Sequence, residues 1–351
     1  MTTGKRVPDT VVNAIVDLAT ELLSESSSPN QDDIFLRFGP YLVRLNLSDS
    51  VFASWIAPHF AHLVEEMGRP DLTIRGVLDA ERLARLETLW RQHVEVVPGT
   101  STSFRWHQLR VQLEFDSDGL AAFETVDVGA GRAVHLGANL SRVRDIVGIR
   151  PFLGLLRWWS EATPYLIVHS AAVGNGAAGV LIGGTPGAGK SSTALAATGG
   201  TLRLVGDDIV LIGPDGIAHA IHATLRLRPD MIARFGSTAW FGKEWLDWRQ
   251  KPSQVVPSAS LGNLARSVRP GAIVLPRLGG GAEPRFRRVA TAAAMRAMTP
   301  ATVIDLYQNP AGQLDKLANA LAPLPCYEFN LVPDLASIRD AFEKFVGELD
   351  R

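Results

Sequence analysis

Apolar side chains recur at 11, 12, 15, 18, 19, 22 and 23 along TVVNAIVDLATELL (10–23). That spacing gathers them on one face of a helix, with Asp9 or Thr10 as its cap. A polar gap, SESSSPNQDD, follows, and IFLRFGPYLVRLNL (34–47) then reads as two strands around Gly39-Pro40. Helices are predicted over 51–66 and 79–93. Leu109, Val111, Leu113 and Phe115 alternate with polar residues, the chain turns at 116–119, and a second strand returns. This is the pattern of an α+β unit. IRPFLGLLRWWSEATP (149–164) is an amphipathic helix leading into the second half, with Trp158 and Trp159 as packing residues.

The texture changes at 165. YLIVHSAAV and VLIGG are strands joined by the turn GNGAAG, and KSSTALAATGG opens a helix that Gly199-Gly200 stop. TLRLVGDDIVLIGPDGIAHAI reads as strand, turn and strand, followed by the basic apolar stretch LRLRPDMIARF. Residues 237–257, with three Trp, read as an exposed loop that could close as a lid. GAIVLPRL is a further strand, and helices are expected over 290–322 and 334–349. The division predicted is 1–148 and 149–351.

Composition narrows the partners. The chain has 351 residues, 46% hydrophobic and 20% charged, with a formal net charge of -1. That length supports two cores, and the balance gives no electrostatic footprint for nucleic acid or an anionic membrane. No run of 18 apolar residues suggests a membrane span, and no apolar stretch near the start suggests a signal peptide. One cysteine, Cys326, allows no internal disulfide and fits a reducing, cytoplasmic setting. With only six lysines in the chain, Lys190 inside a Gly-rich loop is conspicuous.

GGTPGAGKSS (183–192) fits G-x-x-x-x-G-K-[ST] from Gly184 to Ser191. Glycines at 184, 187 and 189 let successive N–H groups point at phosphate oxygens, and the following helix adds its positive end. Lys190 would reach the β- and γ-phosphates and Ser191 would hold Mg²⁺. Gly184, Thr185, Pro186, Gly187, Ala188, Gly189, Lys190, Ser191 and Ser192 are therefore the candidate nucleotide-binding residues. The apolar strand ending in Asp207-Asp208 resembles the acidic strand that completes the metal site of many P-loop proteins. Only one short helix and one turn fit between Lys190 and Asp207, too little for the motor-type arrangement. No NKxD or LSGGQ motif appears.

The stretch IVHSAAVGNGAAGVLIGGTPGAGKSSTALAATGGTLRLVGDDIVLI resembles the C-terminal domain of the HPr serine kinase/phosphorylase family, and more closely its HPr-kinase-related relatives. The likeness is strong over 165–213, loose to about 345, and absent from the N-terminal half. It implies an α/β fold: a P-loop kinase domain of the HPr kinase and PEP carboxykinase type, here preceded by a smaller α+β domain. It also implies Asp207 as the base for an acceptor hydroxyl, His169 beside it, Asp208 on the metal side with Ser191, ATP and Mg²⁺ as donor and ion, and a homo-oligomer. The acceptor would be a Ser or Thr hydroxyl of a protein or peptide, or a small-molecule alcohol.

Two features depart from the bifunctional enzymes. No carboxylate stands on the strand after the acidic pair, where GIAHAIHATLRLR offers His219, His222 and Arg226. The Gly-rich segment linked to phosphorolysis is missing too, which argues against reversal with inorganic phosphate and against HPr as substrate. Arg226 and Lys251 are the favoured basic residues for the transferring group, with Arg228, Lys243, Arg277, Arg285, Arg287 and Arg288 unranked. Two other readings stay open: a nucleotide-binding regulator without phosphotransfer, and a peptide-delivering scaffold.

Overall fold

The computed structural model describes residues 8–25, 32–95, 97, 99–148, 150–235, 246–248, 251–256, 258–279, 283–307 and 312–350. The chain is mixed α/β and forms two compact units. One comprises Met1–Arg37, Tyr41–Ala57 and Glu65–Ala162; the other comprises Phe38–Pro40, Pro58–Val64 and Thr163–Arg351. The boundary expected at 148/149 therefore lies at 162/163, because the helix after it packs on the first unit's sheet.

The first unit runs α1 (Asp9–Ser24), β1 (Ile34–Phe38), β2 (Tyr41–Leu47), α2 (Ser50–Ile56), β3 (Leu72–Leu78), α3 (Ala80–Arg91), β4 (Ser101–Trp106), β5 (Leu109–Asp116), β6 (Gly119–Asp127), β7 (Arg132–Gly137), α4 (Leu140–Val147) and α5 (Leu153–Glu161), while the 3₁₀ segment after α2 (Ala57–Leu63) belongs, past Ala57, to the second. Seven strands make one sheet in the order β1-β2-β3-β7-β6-β5-β4. The alternation read in β5 sends Val111, Leu113 and Phe115 into a core with Val11, Ile15 and Leu22 of α1 and Leu83, Leu86 and Trp90 of α3. α3 starts where Asp79 accepts the Arg82 N–H, since an aspartate there satisfies an otherwise open donor. The helix expected over 51–66 is instead α2 followed by the 3₁₀ turn, and β3 had no counterpart in the sequence reading.

The opposite-pointing positions of these strands carry Gln112, Glu114, Glu124 and His135. Glu124 Oε1 lies 3.0 Å from His135 Nδ1, and Gln112 donates to Glu114. Burial pushes the Glu114 carboxyl up to about 7, and the charge of Glu124 adds to the shift.

The second unit contains β8 (Leu166–Val168), β9 (Ala171–Gly174), β10 (Gly179–Ile182), α6 (Lys190–Ala197), β11 (Arg203–Gly206), β12 (Val210–Ile212), β13 (Ala218–His219), β14 (Thr224–Arg226), α7 (Pro229–Phe235), β15 (Leu246–Trp248), β16 (Lys251–Val255), β17 (Ser267–Val268), β18 (Pro270–Arg277), β19 (Phe286–Val289), α8 (Thr291–Thr299), α9 (Gln313–Leu321), β20 (Cys326–Asn330) and α10 (Leu335–Leu349). Its main sheet has the order β11-β9-β10-β18-β20-β19, with β10, β18 and β20 parallel. A four-stranded sheet, β17-β13-β12-β8, and a three-stranded one, β14-β16-β15, accompany it. Ala194, Leu195, Phe342 and Val346 of α6 and α10 share a core with Val180, Ile182, Val274 and Phe329 of the main sheet.

Two expectations change here. β19 and β20 lie where no strand was predicted, because both are too short to show an alternating pattern; their packing is tertiary, with Phe286 stacked on Phe345 at 4.0 Å. The helical stretch expected over 290–322 consists of α8, a π-helix (Pro300–Asp305) and α9. The stretch 237–257 contains the hairpin strands β15 and β16, while 236–245 lie outside the described residues.

Glu114 keeps its proton in the folded unit up to about pH 7, against a usual value of 4.5. Between those values the fold binds more protons than the unfolded chain, so stability falls as pH rises through that window. Glu114→Gln removes the term. In thermal melts the wild type should lose more stability than the variant between pH 4.5 and 8, and the variant should melt at least ~2 °C higher at pH 8. Parallel pH dependences would contradict this.

Candidate active site

The candidate phosphate loop grows from a hairpin. β9 and β10 pair antiparallel, and the Gly183 N–H at the end of β10 donates to Val274 O at 2.9 Å. Beyond it, Gly184, Gly187 and Gly189 have φ of +139°, +83° and +94°, values that side chains with a Cβ avoid. α6 starts at once, with no side chain capping its first turn, so its first N–H groups are available to an anion. Thr185, Pro186 and Gly187 are exposed; Ala188, Gly189, Ser191 and Ser192 are half-buried around the helix start. Lys190 is buried, and its Nζ donates to Gly184 O at 2.9 Å and Thr185 O at 3.2 Å. The ammonium thus spans the loop from beneath.

The acidic pair is placed by two strands that each change sheets. β8 leaves the four-stranded sheet at Val168 and enters the main sheet as β9 at Ala171; β11 leaves the main sheet at Gly206 and enters the four-stranded sheet as β12 at Val210. The two crossings are paired, since Val168 faces Val210 and Ala172 faces Gly206. His169 and Asp207–Asp208 therefore occupy opposite sides of one junction. Ile182, which precedes the phosphate loop, faces Ala171 of the same β9. Two strand spacings, ~10 Å, then separate the ends of β10 and β11. Ser170 ties the arrangement together by donating to Ile182 O at 3.1 Å.

Adjacent strand residues point to opposite faces, so both acids can serve one site only where the strand is irregular. The β11 register shifts between Leu204 and Gly206. Both acids are buried there, 3% and 8% exposed. Arg226 compensates both. Its backbone N–H donates to Asp207 Oδ2 at 2.7 Å, and its Nη1 lies 3.2 Å from Asp208 Oδ2. His169 Nδ1 stands 3.7 Å from Asp208 Oδ1, which brings the histidine to the acidic pair.

Of the candidates on the following strands, Arg226 hydrogen-bonds to the acidic pair. His222 packs against Phe60 at 5.0 Å, and His219 lies 6.0 Å from Tyr165. Arg228 pairs with Asp230, Arg277 and Arg287 share Glu328, and Arg285 pairs with Glu283; Arg288 is exposed. Lys243 and the Lys251 side chain lie outside the described residues.

Two residues at the site had no signal in the motif search. Thr302 Oγ1 accepts the His169 N–H at 3.1 Å, and Tyr307 Oη accepts the Ile167 N–H at 2.8 Å. Pro300, inside an otherwise helical run, was the available hint that the chain departs from a regular helix there.

Among the described residues no group of three or more His, Cys, Asp or Glu could hold a metal by itself. Asp208 and the Ser191 hydroxyl are oxygen donors of the kind Mg²⁺ takes, the ion keeping waters and phosphate oxygens as its other ligands. Neither protein-family models nor curated proteins match the chain.

A Cβ on Gly206 would stand 2.7 Å from Ile209 O and 2.9 Å from Val210 Cγ1. Gly206→Ala should cost ~1–3 kcal/mol, read as a lower denaturation midpoint. An unchanged midpoint would mean that the junction is not tightly built.

Proposed function

We propose that the chain is a Mg²⁺-dependent phosphotransferase of the HPr-kinase-like type, moving the γ-phosphoryl group of ATP to a hydroxyl of a protein or peptide. The observation that carries the reading is the juxtaposition of a glycine-rich, positive-φ loop with a buried, hydrogen-bonded acid pair at strand ends two spacings apart. A loop that only bound nucleotide would use one carboxylate for its metal and need no second one as a base.

In this reading the loop N–H groups and Lys190 hold the β- and γ-phosphates, with the Lys190 ammonium turning from Gly184 O and Thr185 O toward phosphate oxygens. Asp207, oriented by the Arg226 N–H, accepts the proton of the acceptor hydroxyl. The acceptor oxygen bonds to the γ-phosphorus as the bond to the β,γ-bridging oxygen breaks, leaving ADP. Ser191 and Asp208 would hold Mg²⁺, which supplies charge neutralisation between the phosphates. The Arg226 guanidinium, 3.2 Å from Asp208 Oδ2, would neutralise charge on the transferring group. His169 steadies Asp208 from the other side.

The test is donor consumption with Mg²⁺ in the presence of extract from the source, followed by identification of the labelled species. Asp207→Asn should lower acceptor-dependent turnover by ~10²–10⁴ while nucleotide still binds. Lys190→Ala should weaken nucleotide binding itself, and chelating Mg²⁺ should abolish transfer. Nucleotide binding without any acceptor-dependent turnover, unaffected by Asp207→Asn, would refute the proposal and leave a nucleotide-binding regulator.

A further inference from the structure

β8 is the end strand of its sheet. β12 pairs with one edge through Leu166, Ile167 and Val168. The N–H groups of Ile167 and His169 are two residues apart, so they lie on the same edge of the extended chain. Both are received by hydroxyls: Tyr307 Oη at 2.8 Å and Thr302 Oγ1 at 3.1 Å. Both hydroxyl-bearing residues are fully buried, at 1% and 0% exposure. Two side chains do here what the carbonyls of a neighbouring strand would do.

The backbone that delivers them is unusual. α8 runs without a break into the π-helix Pro300–Asp305. Pro300 has no N–H to continue the α-helical ladder, and π turns are rare and occur frequently at functional sites. Thr302 lies within the π-helix and Tyr307 two residues past its end, so one short segment supplies both hydroxyls. The same run touches the phosphate loop's base, since a Cβ on Gly183 would lie 2.5 Å from Met298 Sδ.

We infer that Thr302 is a positioning residue for His169: the π-helix fixes the histidine's backbone through the Thr302 hydroxyl and so sets the imidazole against Asp208. The inference rests on the phosphotransferase reading for its kinetic consequence, but not for its structural one. Thr302 acts through the backbone of His169, and Tyr307 holds the register one step earlier on the strand.

The experiment uses the full chain with ¹⁵N-labelled histidine, the His169 imidazole signals being assigned with His169→Gln. Thr302→Val keeps the shape and removes the acceptor; Thr302→Ser keeps the acceptor. Thr302→Val should shift the His169 imidazole resonances at fixed pH, lower kcat at least fivefold and leave nucleotide affinity within twofold. Thr302→Ser should restore all of these. If Thr302→Val does not fold, Tyr307→Phe should produce the same histidine shift in smaller degree. Unchanged His169 resonances in the folded variant, or in Tyr307→Phe where it replaces it, would overturn the inference. Asp207→Asn, assayed alongside, separates the two failures. Turnover that survives it refutes the phosphotransferase, and the His169 resonances then decide the positioning role alone. Turnover lost in Asp207→Asn but undiminished in Thr302→Val refutes only the positioning role.

Discussion

Two neighbouring carboxylates, nearly buried where two strands cross between sheets, impose the constraint around which the second unit is arranged. Ionised groups in such a place are costly unless other charges and hydrogen bonds hold them. Arg226 holds both, one with its N–H and one with its guanidinium, and His169 approaches from the opposite strand. Because an amide N–H cannot be displaced like a long side chain, Asp207 is the more rigidly oriented of the two. Asp208, held by side chains, is the one whose partners can change. That difference suits the proposed division of labour between a base and an ion ligand.

The constraint extends to the phosphate loop through the backbone. β9 lies between β10 and β11, and its two neighbours end at the level where β9 begins. The loop, the acids and the histidine therefore emerge together at one end of three adjacent strands. Ser170 bonds across to Ile182 O, and the α8–π segment meets both Gly183 and His169. Movement of any one of these elements strains the others, so the site is a property of the strand crossing as much as of its side chains.

Local chemistry made part of this legible in the sequence. GGTPGAGKSS announced a loop with positive φ because few other residue orders tolerate it, and all three glycines named there have that backbone. The alternation in 109–115 and the helical spacing in 10–23 gave their elements because each buries one regular face. Other features were hidden because they depend on distant partners. Nothing near Arg226 says that its amide will meet Asp207, nineteen positions earlier. Thr302 reaches His169 across 133 positions, and only Pro300 hinted at the π turn that brings it there. β19 and β20 are too short to show a period. The unit boundary was missed because an amphipathic helix, α5, reads the same whichever sheet it covers.

The most direct test of the central claim is ³¹P NMR of ATP and Mg²⁺ with the protein and fractionated extract as the acceptor source. A phosphotransferase should yield ADP together with a new phosphoester resonance in equal amount, the ester staying with a single protein or peptide species. ADP with inorganic phosphate alone, or ATP that binds and remains intact, would contradict it.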